Sequence, residues 1–329
     1  MLVLSAGDVK KALPMKETIE AMKSAYAALS NGQADVPLRV RLPVPAQDGV
    51  SLFMPARVDI DHEQALGIKV VSVFPHNSSK NLPMIHAAVM VLDAGTGQIL
   101  SVMEGGSLTA IRTGAGCGAA ADLLARPDSK TAGIFGAGVL ARTILEAICT
   151  VRPIETVWIY GPTAAKVEAL IAELAGKGPI PTDLRAAASP AEVVREADIV
   201  AAATTAAQPV FDYADLKPGA HVNAAGSYTP EMQEVPSQVI TEGLVTVDSR
   251  PAVLAESGDL IQPIRAGLFT QEQIYAEIGE IVSGAKPRPE LSGQTTYFKS
   301  VGVAVQDAAA GRLALMNAEK LGLGQQVSW

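Results

Sequence analysis

The sequence predicts an α/β protein in which a doubly wound parallel sheet is joined to a discontinuous α+β domain. Three observations lead there. From residue 131 onward, short Val/Ile/Leu-rich runs alternate with helix-patterned segments, the texture of right-handed crossovers between parallel strands. The first hundred residues instead carry one helix followed by strand-like runs with no helices between them. The chain has 329 residues, long for one core and suited to two domains of roughly 150 residues each. Hydrophobic residues make up 48% and charged residues 18%, a composition that folds, while aromatics are only 4%. The core is therefore built from Ala, Val, Leu and Ile.

In order along the chain, residues 15–31 read as an amphipathic helix, with Ile19, Met22, Tyr26 and Leu29 on one face and Asn31-Gly32 ending it. Segments 38–43, 51–55, 67–74, 85–93 and 99–104 read as strands punctuated by Gly, Pro, Asn and Asp, with 93–98 as the tight turn between the last two. Ser107 opens a helix to about Ala125. Its Gly114, Gly116 and Gly118 cost helix propensity and point to close approach of another backbone. Strands are then expected at 131–135, 156–160, 184–187, 198–204, 221–225 and 244–248, with helices at 138–150, 163–176 and 190–196. A last helix is expected over Thr295–Ala318, packing back on the N-terminal part. The expected domains are 1–115 with 303–329, and 116–302.

Several function classes are disfavoured. The net charge is −8 and Lys and Arg occur singly, so no basic stripe suits nucleic acid. No apolar stretch reaches the roughly 18–20 residues of a membrane helix. The N-terminal residues do not read as a signal peptide, and a cytoplasmic protein is expected. Cys117 and Cys149 fit neither a zinc motif nor a redox pair and read as buried small hydrophobes. His62, His76, His86 and His221 are scattered without ligand spacing, so no metal is expected.

The strongest motif is strand, glycine turn, helix over Thr131-Ala-Gly-Ile-Phe-Gly136-Ala137-Gly138-Val139-Leu-Ala141. Gly136 permits the tight turn, Gly138 lets the backbone approach a pyrophosphate, and Ala141 keeps the helix close to the strand. The helix N-terminus offers free N–H groups to the phosphates. In this context the pattern defines a Rossmann dinucleotide-binding domain. After the next strand, Tyr160-Gly161-Pro-Thr163-Ala-Ala-Lys166 lacks the carboxylate that would bind ribose hydroxyls. A 2′-phosphate would meet no repulsion there, and Thr163 and Lys166 could touch it. NADPH is the expected cofactor, with NADH as the alternative. Candidate cofactor contacts are Arg112, Thr113, Gly136, Ala137, Gly138, Val139, Gly161, Thr163, Lys166 and Ser300.

Basic residues in apolar settings suggest an anionic substrate. Lys69 shares a strand face with Val71 and Val73. Either it snorkels to water from an edge or it pairs with an anion in a cleft, and the second reading is preferred. Arg39 and Arg41 face one side of a strand, and Arg112 stands alone in an apolar helix. Arginine holds carboxylates through two parallel hydrogen bonds. The alternative for Arg112 is an ion pair between domains.

Together these motifs resemble the ornithine cyclodeaminase/mu-crystallin family over nearly the whole chain. The resemblance rests on Gly67-Ile-Lys-Val-Val, Met103-Glu-Gly, Leu108-Thr-Ala-Ile-Arg-Thr113, Gly136-Ala-Gly-Val, Lys217-Pro-Gly-Ala-His-Val-Asn-Ala-Ala-Gly226, Glu256-Ser-Gly-Asp259, Glu277-Ile-Gly-Glu280 and Phe298-Lys-Ser-Val-Gly302. It implies a homodimer in which the N-terminal part and the C-terminal helix form a substrate and dimerisation domain. It also implies that Arg39, Lys69 and Arg112 surround a substrate carboxylate. Cyclodeaminases of the family carry a catalytic aspartate shortly after the Asn-Ala-x-Gly strand end. Here Asn223-Ala-Ala-Gly-Ser-Tyr228-Thr-Pro-Glu-Met puts Tyr228 in that place, and a neutral phenol does not replace a carboxylate that handles an amine. The stretch is similar to that of bacterial Δ1-pyrroline-2-carboxylate reductases. The resemblance thus implies reduction of a cyclic imino acid, to L-proline or from the six-membered imine to L-pipecolate, with Lys69 and Tyr228 as candidate catalytic residues. Alanine dehydrogenase, ornithine cyclodeaminase and a non-catalytic NADP-binding crystallin-like protein are the alternatives.

Overall fold

The computed structural model describes residues 1–60, 63–291 and 293–328; His62, among the histidines considered for a metal, lies outside the described residues. The chain divides into two compact units, Met1–Arg112 with Val303–Trp329, and Thr113–Gly302.

The first unit opens with β1 (Leu2–Leu4), α1 (Ala6–Ala12) and α2 (Met15–Ser30), continues through strands β2 (Ala34–Asp35), β3 (Val40–Val44), β4 (Gly49–Ile60), β5 (Glu63–Val73), β6 (Ile85–Leu92) and β7 (Ile99–Glu104), and leads into α3 (Gly105–Leu124). The described strands form one sheet in the order β16-β1-β7-β6-β5-β4-β2, with β3 on β4, where β16 is Gln325–Gln326. All pairs are antiparallel except β1 with β7. The 93–98 turn forms as expected. Asp93 accepts from the Gly95 and Thr96 N–H groups, and Gly97 takes a left-handed φ of 75°.

One face of this sheet is covered by α2, with Ile19, Met22 and Tyr26 inward, and by α11 (Ala304–Leu321). Small residues let α11 lie close. An added Cβ on Gly311 would stand 2.9 Å from Val91 Cγ2, and one on Gly67 would stand 3.6 Å from Ala308 Cα. The register places Met54, Lys69, Val89 and Met103 side by side across β4–β7, all buried on that covered face. A lysine thus occupies an otherwise apolar row.

The second unit alternates strand and helix: β8 (Thr131–Phe135), α4 (Val139–Val151), β9 (Thr156–Tyr160), α5 (Ala164–Leu174), β10 (Asp183–Ala186), α6 (Pro190–Glu196), β11 (Ile199–Ala202), β12 (His221–Ala224), α7 (Ser237–Glu242), β13 (Leu244–Val247), α8 (Arg250–Glu256), α9 (Gly258–Arg265), β14 (Ala276–Glu277), α10 (Ile278–Val282) and β15 (Thr296–Lys299). The strands are all parallel, in the order β10-β9-β8-β11-β12-β15-β13-β14. Strand alternation feeds two cores. Ile134, Ile159 and Ile199 pack with α3 and α4 residues such as Cys117 and Ile148, while Phe135, Val200 and Val222 pack with Val193, Val239 and Val253. Gly114 of α3 serves close packing. A Cβ on Gly114 would lie 2.5 Å from the Thr143 carbonyl.

One expectation is corrected. Thr295–Ala318 is not a single helix. Residues 296–299 form β15, inserted between β12 and β13, and the helix begins only at Ala304. Thr296, Tyr297 and Phe298 are β-branched or aromatic and buried, and Gly302 at φ 80° breaks the chain before the helix.

Candidate active site

In the first unit, Lys69 is 2% exposed, which rules out snorkelling to water. Its Nζ lies 2.8 Å from Asp307 Oδ2 on α11. Arg112, also buried, donates from Nε to Asp307 Oδ1 at 3.0 Å and from Nη1 to Gln306 Oε1 at 3.0 Å. Gln306 in turn donates to the Tyr26 hydroxyl at 2.7 Å. The partner of Arg112 thus lies within its own unit. The resident anion was not anticipated, although a carboxylate among Ala304, Val305 and Ala308–Ala310 on the inward face of an Ala-rich helix is a visible signal.

With Lys69 protonated, two cations and one carboxylate leave this buried cluster with one excess positive charge. Burial, and after it the Arg112 charge, lower the Lys69 amine, Asp307 opposes them, the Arg39 charge adds to the lowering, and the amine comes to about 7. Burial raises the Asp307 carboxyl, but Arg112 and Lys69 outweigh it and hold the group below the usual carboxylate range. Arg39 stands half-exposed immediately before β3, and Arg41 is exposed on β3.

In the second unit, Gly136 adopts φ 103°, and an added Cβ would meet the Ala203 carbonyl oxygen at 2.8 Å. Its N–H donates to the Tyr160 carbonyl at the end of β9. Gly138 caps α4 in an extended conformation, with no side chain bonding the first-turn amides and no acidic residue there. A Cβ on Gly138 would meet nothing within 4 Å, and Val139 is 64% exposed. Open helix amides, an absent Cβ and no competing carboxylate fit a dinucleotide pyrophosphate. Arg142, unnoticed in the sequence, donates to the Ala137 and Gly138 carbonyls and pairs with Glu173, so the turn's oxygens are held on the helix side.

Of the other expected residues, Gly161 is half-exposed and Thr163 and Lys166 are exposed where β9 leads into α5, and the Thr163 side chain does not cap that helix. Thr113 is buried on α3. The Ser300 hydroxyl is committed to Asp248 at 2.9 Å. Tyr228 is 38% exposed in the loop after β12.

A parallel sheet whose order reverses at β8 and β11, with an open glycine turn after β8, defines a Rossmann-type dinucleotide-binding protein. Residues 1–320 match the ornithine cyclodeaminase/mu-crystallin family, and the chain belongs to that family. Among its relatives, a Δ1-pyrroline-2-carboxylate reductase of Bacillus cereus is 39% identical over the full length of both chains. Among solved structures, the Δ1-pyrroline-2-carboxylate reductase of Thermococcus litoralis, in complex with NADH and L-proline, superposes with a TM-score of 0.93 at 40% identity, covering 99% of this chain and 100% of that one. An archaeal alanine dehydrogenase dimer with bound NAD reaches 0.91 at 28% identity, covering 100% and 99%. No described helix is long and apolar enough to cross a membrane.

Proposed function

We propose that this chain reduces a cyclic imino acid with NADPH or NADH, converting Δ1-pyrroline-2-carboxylate to L-proline and accepting the six-membered analogue as well. The observation that carries this reading is the unbalanced positive charge of the buried Lys69–Arg112–Asp307 cluster, with Arg39 adding to its field. A substrate carboxylate completes the charge balance. It also draws the Lys69 amine back to its protonated form, because an adjacent anion favours the cation. Asp307 and Gln306 fix the Arg112 guanidinium, so the carboxylate meets donors already oriented and little entropy is lost on docking. The full-length similarity to two Δ1-pyrroline-2-carboxylate reductases supports the same substrate class.

Dinucleotide contacts are assigned to Gly136, Ala137, Gly138 and Val139 at the pyrophosphate, and to Gly161, Thr163 and Lys166 toward the adenosine ribose. Arg112, Thr113 and Ser300 are further candidate contacts. When bound, the dihydronicotinamide supplies the hydride that adds to the imine carbon. The nitrogen then carries the proton of the iminium, and Tyr228 is assigned to manage it. In the described loop between Gly226 and Gln233, Tyr228 and Glu231 are exposed; the family resemblance implies that Tyr228 takes the place of the cyclodeaminase aspartate, which supports reduction over ornithine cyclisation. A homodimer is proposed on the exposed apolar strip of Leu38, Val40 and Leu42, just before and along β3.

The test is a substrate panel: Δ1-pyrroline-2-carboxylate with NADPH and with NADH, pyruvate plus ammonia, and ornithine with NAD. Oxidation of the reduced cofactor by the cyclic imine is expected. Turnover with pyruvate and ammonia alone would replace this reading with an alanine dehydrogenase, and dinucleotide binding without turnover of any substrate would replace it with a crystallin-like protein.

A further inference from the structure

We propose that Glu234 is a positioning residue for the dinucleotide, its buried carboxylate clamping the loop after β11 to the loop after β12 at the C-terminal edge of the parallel sheet. The proposal rests on the reading that the dinucleotide occupies the Gly136–Gly138 turn. Glu234 is fully buried. Its Oε2 accepts from the Thr204 N–H at 2.8 Å and from the Thr204 hydroxyl at 3.1 Å. Its Oε1 accepts from the Gly226 N–H at 2.6 Å and from the Ser227 N–H at 3.0 Å. One carboxylate therefore ties two loops that lie beyond adjacent strands.

The clamped loops border the glycine turn. Ala203, beside Thr204, donates to the Phe135 carbonyl at the end of β8, and its own carbonyl is the atom that leaves no room for a side chain at Gly136. Ligands of open parallel sheets bind at the point where strand order reverses, outside the carboxyl ends of the strands. The Thr204 segment is one wall of that crevice, opposite the turn on β8. The knot tolerates little else. A Cβ on Gly226 would collide with the Thr204 backbone and with Glu234 itself, and one on Gly258 with the Met232 carbonyl.

Glu234 is itself held. Its N–H and that of Val235 donate to Asp259 Oδ1, while Lys299 Nζ lies 2.7 Å from Asp259 Oδ2 and 3.8 Å from Glu234 Oε1. A carboxylate that receives four donors beside an ammonium serves as a rigid acceptor post. No part of this arrangement is needed to pair the strands, whose ladders end at Ala202 and Ala224. It shapes the loops beyond those strands.

The test uses the full chain with Glu234→Gln, Thr204→Val and the two combined. Glutamine keeps the volume but brings an NH2 group against amide donors, so one loop is released. Thr204→Val removes the hydroxyl's contact with Glu234, together with the one it accepts from the Ala206 N–H at 3.3 Å, and leaves the buried charges untouched, so it reports even where Glu234→Gln fails to fold. Equilibrium dissociation constants for NADPH and NADH are read from nucleotide fluorescence, with thermal melting alongside. Glu234→Gln is expected to weaken binding about tenfold and Thr204→Val about threefold, in proportion to the hydrogen bonds released. The combination should weaken binding by less than the product of the two single effects, since the hydroxyl acts in part through Glu234 and only its Ala206 contact is independent of it. Variants that melt earlier yet bind like the parent, or effects that simply multiply, would overturn the clamp. A parent protein that binds neither dinucleotide would overturn the dinucleotide reading and the clamp with it.

Discussion

Replacing Asp307 by Asn keeps the shape of the buried cluster and removes its anion, and the geometry of the cluster determines the consequence. Asp307 stands 2.8 Å from Lys69 Nζ and 3.0 Å from Arg112 Nε, with all three side chains almost without solvent contact. Breaking a buried ion pair usually costs about 3–5 kcal/mol, because the remaining charge is stranded. Lys69 has an escape. Its amine already titrates at about 7, against 10.5 for an ordinary lysine, and it can lose its proton instead. An amine whose folded pKa lies below its unfolded value binds a proton on unfolding, so stability rises with pH between the two values. In the parent that window begins at about 7. Without Asp307, which raises the amine, the window reaches lower. Above about pH 7 both proteins have the same slope and differ by a constant, the lost Arg112 contact. Below it only the variant keeps losing stability, by up to about 1.4 kcal/mol per pH unit. Thermal and denaturant unfolding of both proteins from about pH 8 to about pH 5.5 measures the difference. At neutral pH, loss of a charged anchor should lower kcat/KM for the imine by about 10–100-fold. A stability difference that stays constant across the range would refute this account of Lys69.

Two further outcomes are expected. Gly138→Ala should leave the melting temperature unchanged, since its Cβ meets nothing, yet weaken dinucleotide binding at least about tenfold; Gly136→Ala should instead destabilise the fold by about 1–3 kcal/mol through its positive φ and the Ala203 carbonyl. Unchanged affinity in Gly138→Ala would remove the pyrophosphate from this turn. Leu42→Lys, in the exposed apolar strip, should convert a dimer to a monomer in sedimentation without loss of fold, and an intact dimer would move the interface elsewhere.

The β8–turn–α4 unit was legible because its signals are local: an apolar strand, two glycines at fixed spacing and a helix start within a dozen residues. The glycine-rich α3 was legible for the same reason, and Gly114 meets the Thr143 backbone as a row of small residues implies. Residues 296–299 were not legible as a strand. Four residues carry too little periodicity, and what makes them β is pairing with His221–Ala224 and Leu244–Val247, far away in sequence. The half-site on Lys69 was legible as an energetic anomaly, a cation on an apolar face, but its partner was not. Asp307 reaches Lys69 only because α11 returns to the first unit and packs closely through Ala308 and Gly311. Glu234 was silent for a related reason: its role lies in amides 30 and 8 residues earlier, and no pattern around Glu234 itself announces them.

The central claim is that Lys69 holds the imino acid and not the dinucleotide. Steady-state reduction of Δ1-pyrroline-2-carboxylate by Lys69→Ala, with NADPH affinity measured on the same sample, tests it most directly. The account predicts turnover lost by at least about a thousandfold with the NADPH dissociation constant unchanged. Turnover near that of the parent, or loss of NADPH binding in step with activity, would contradict it.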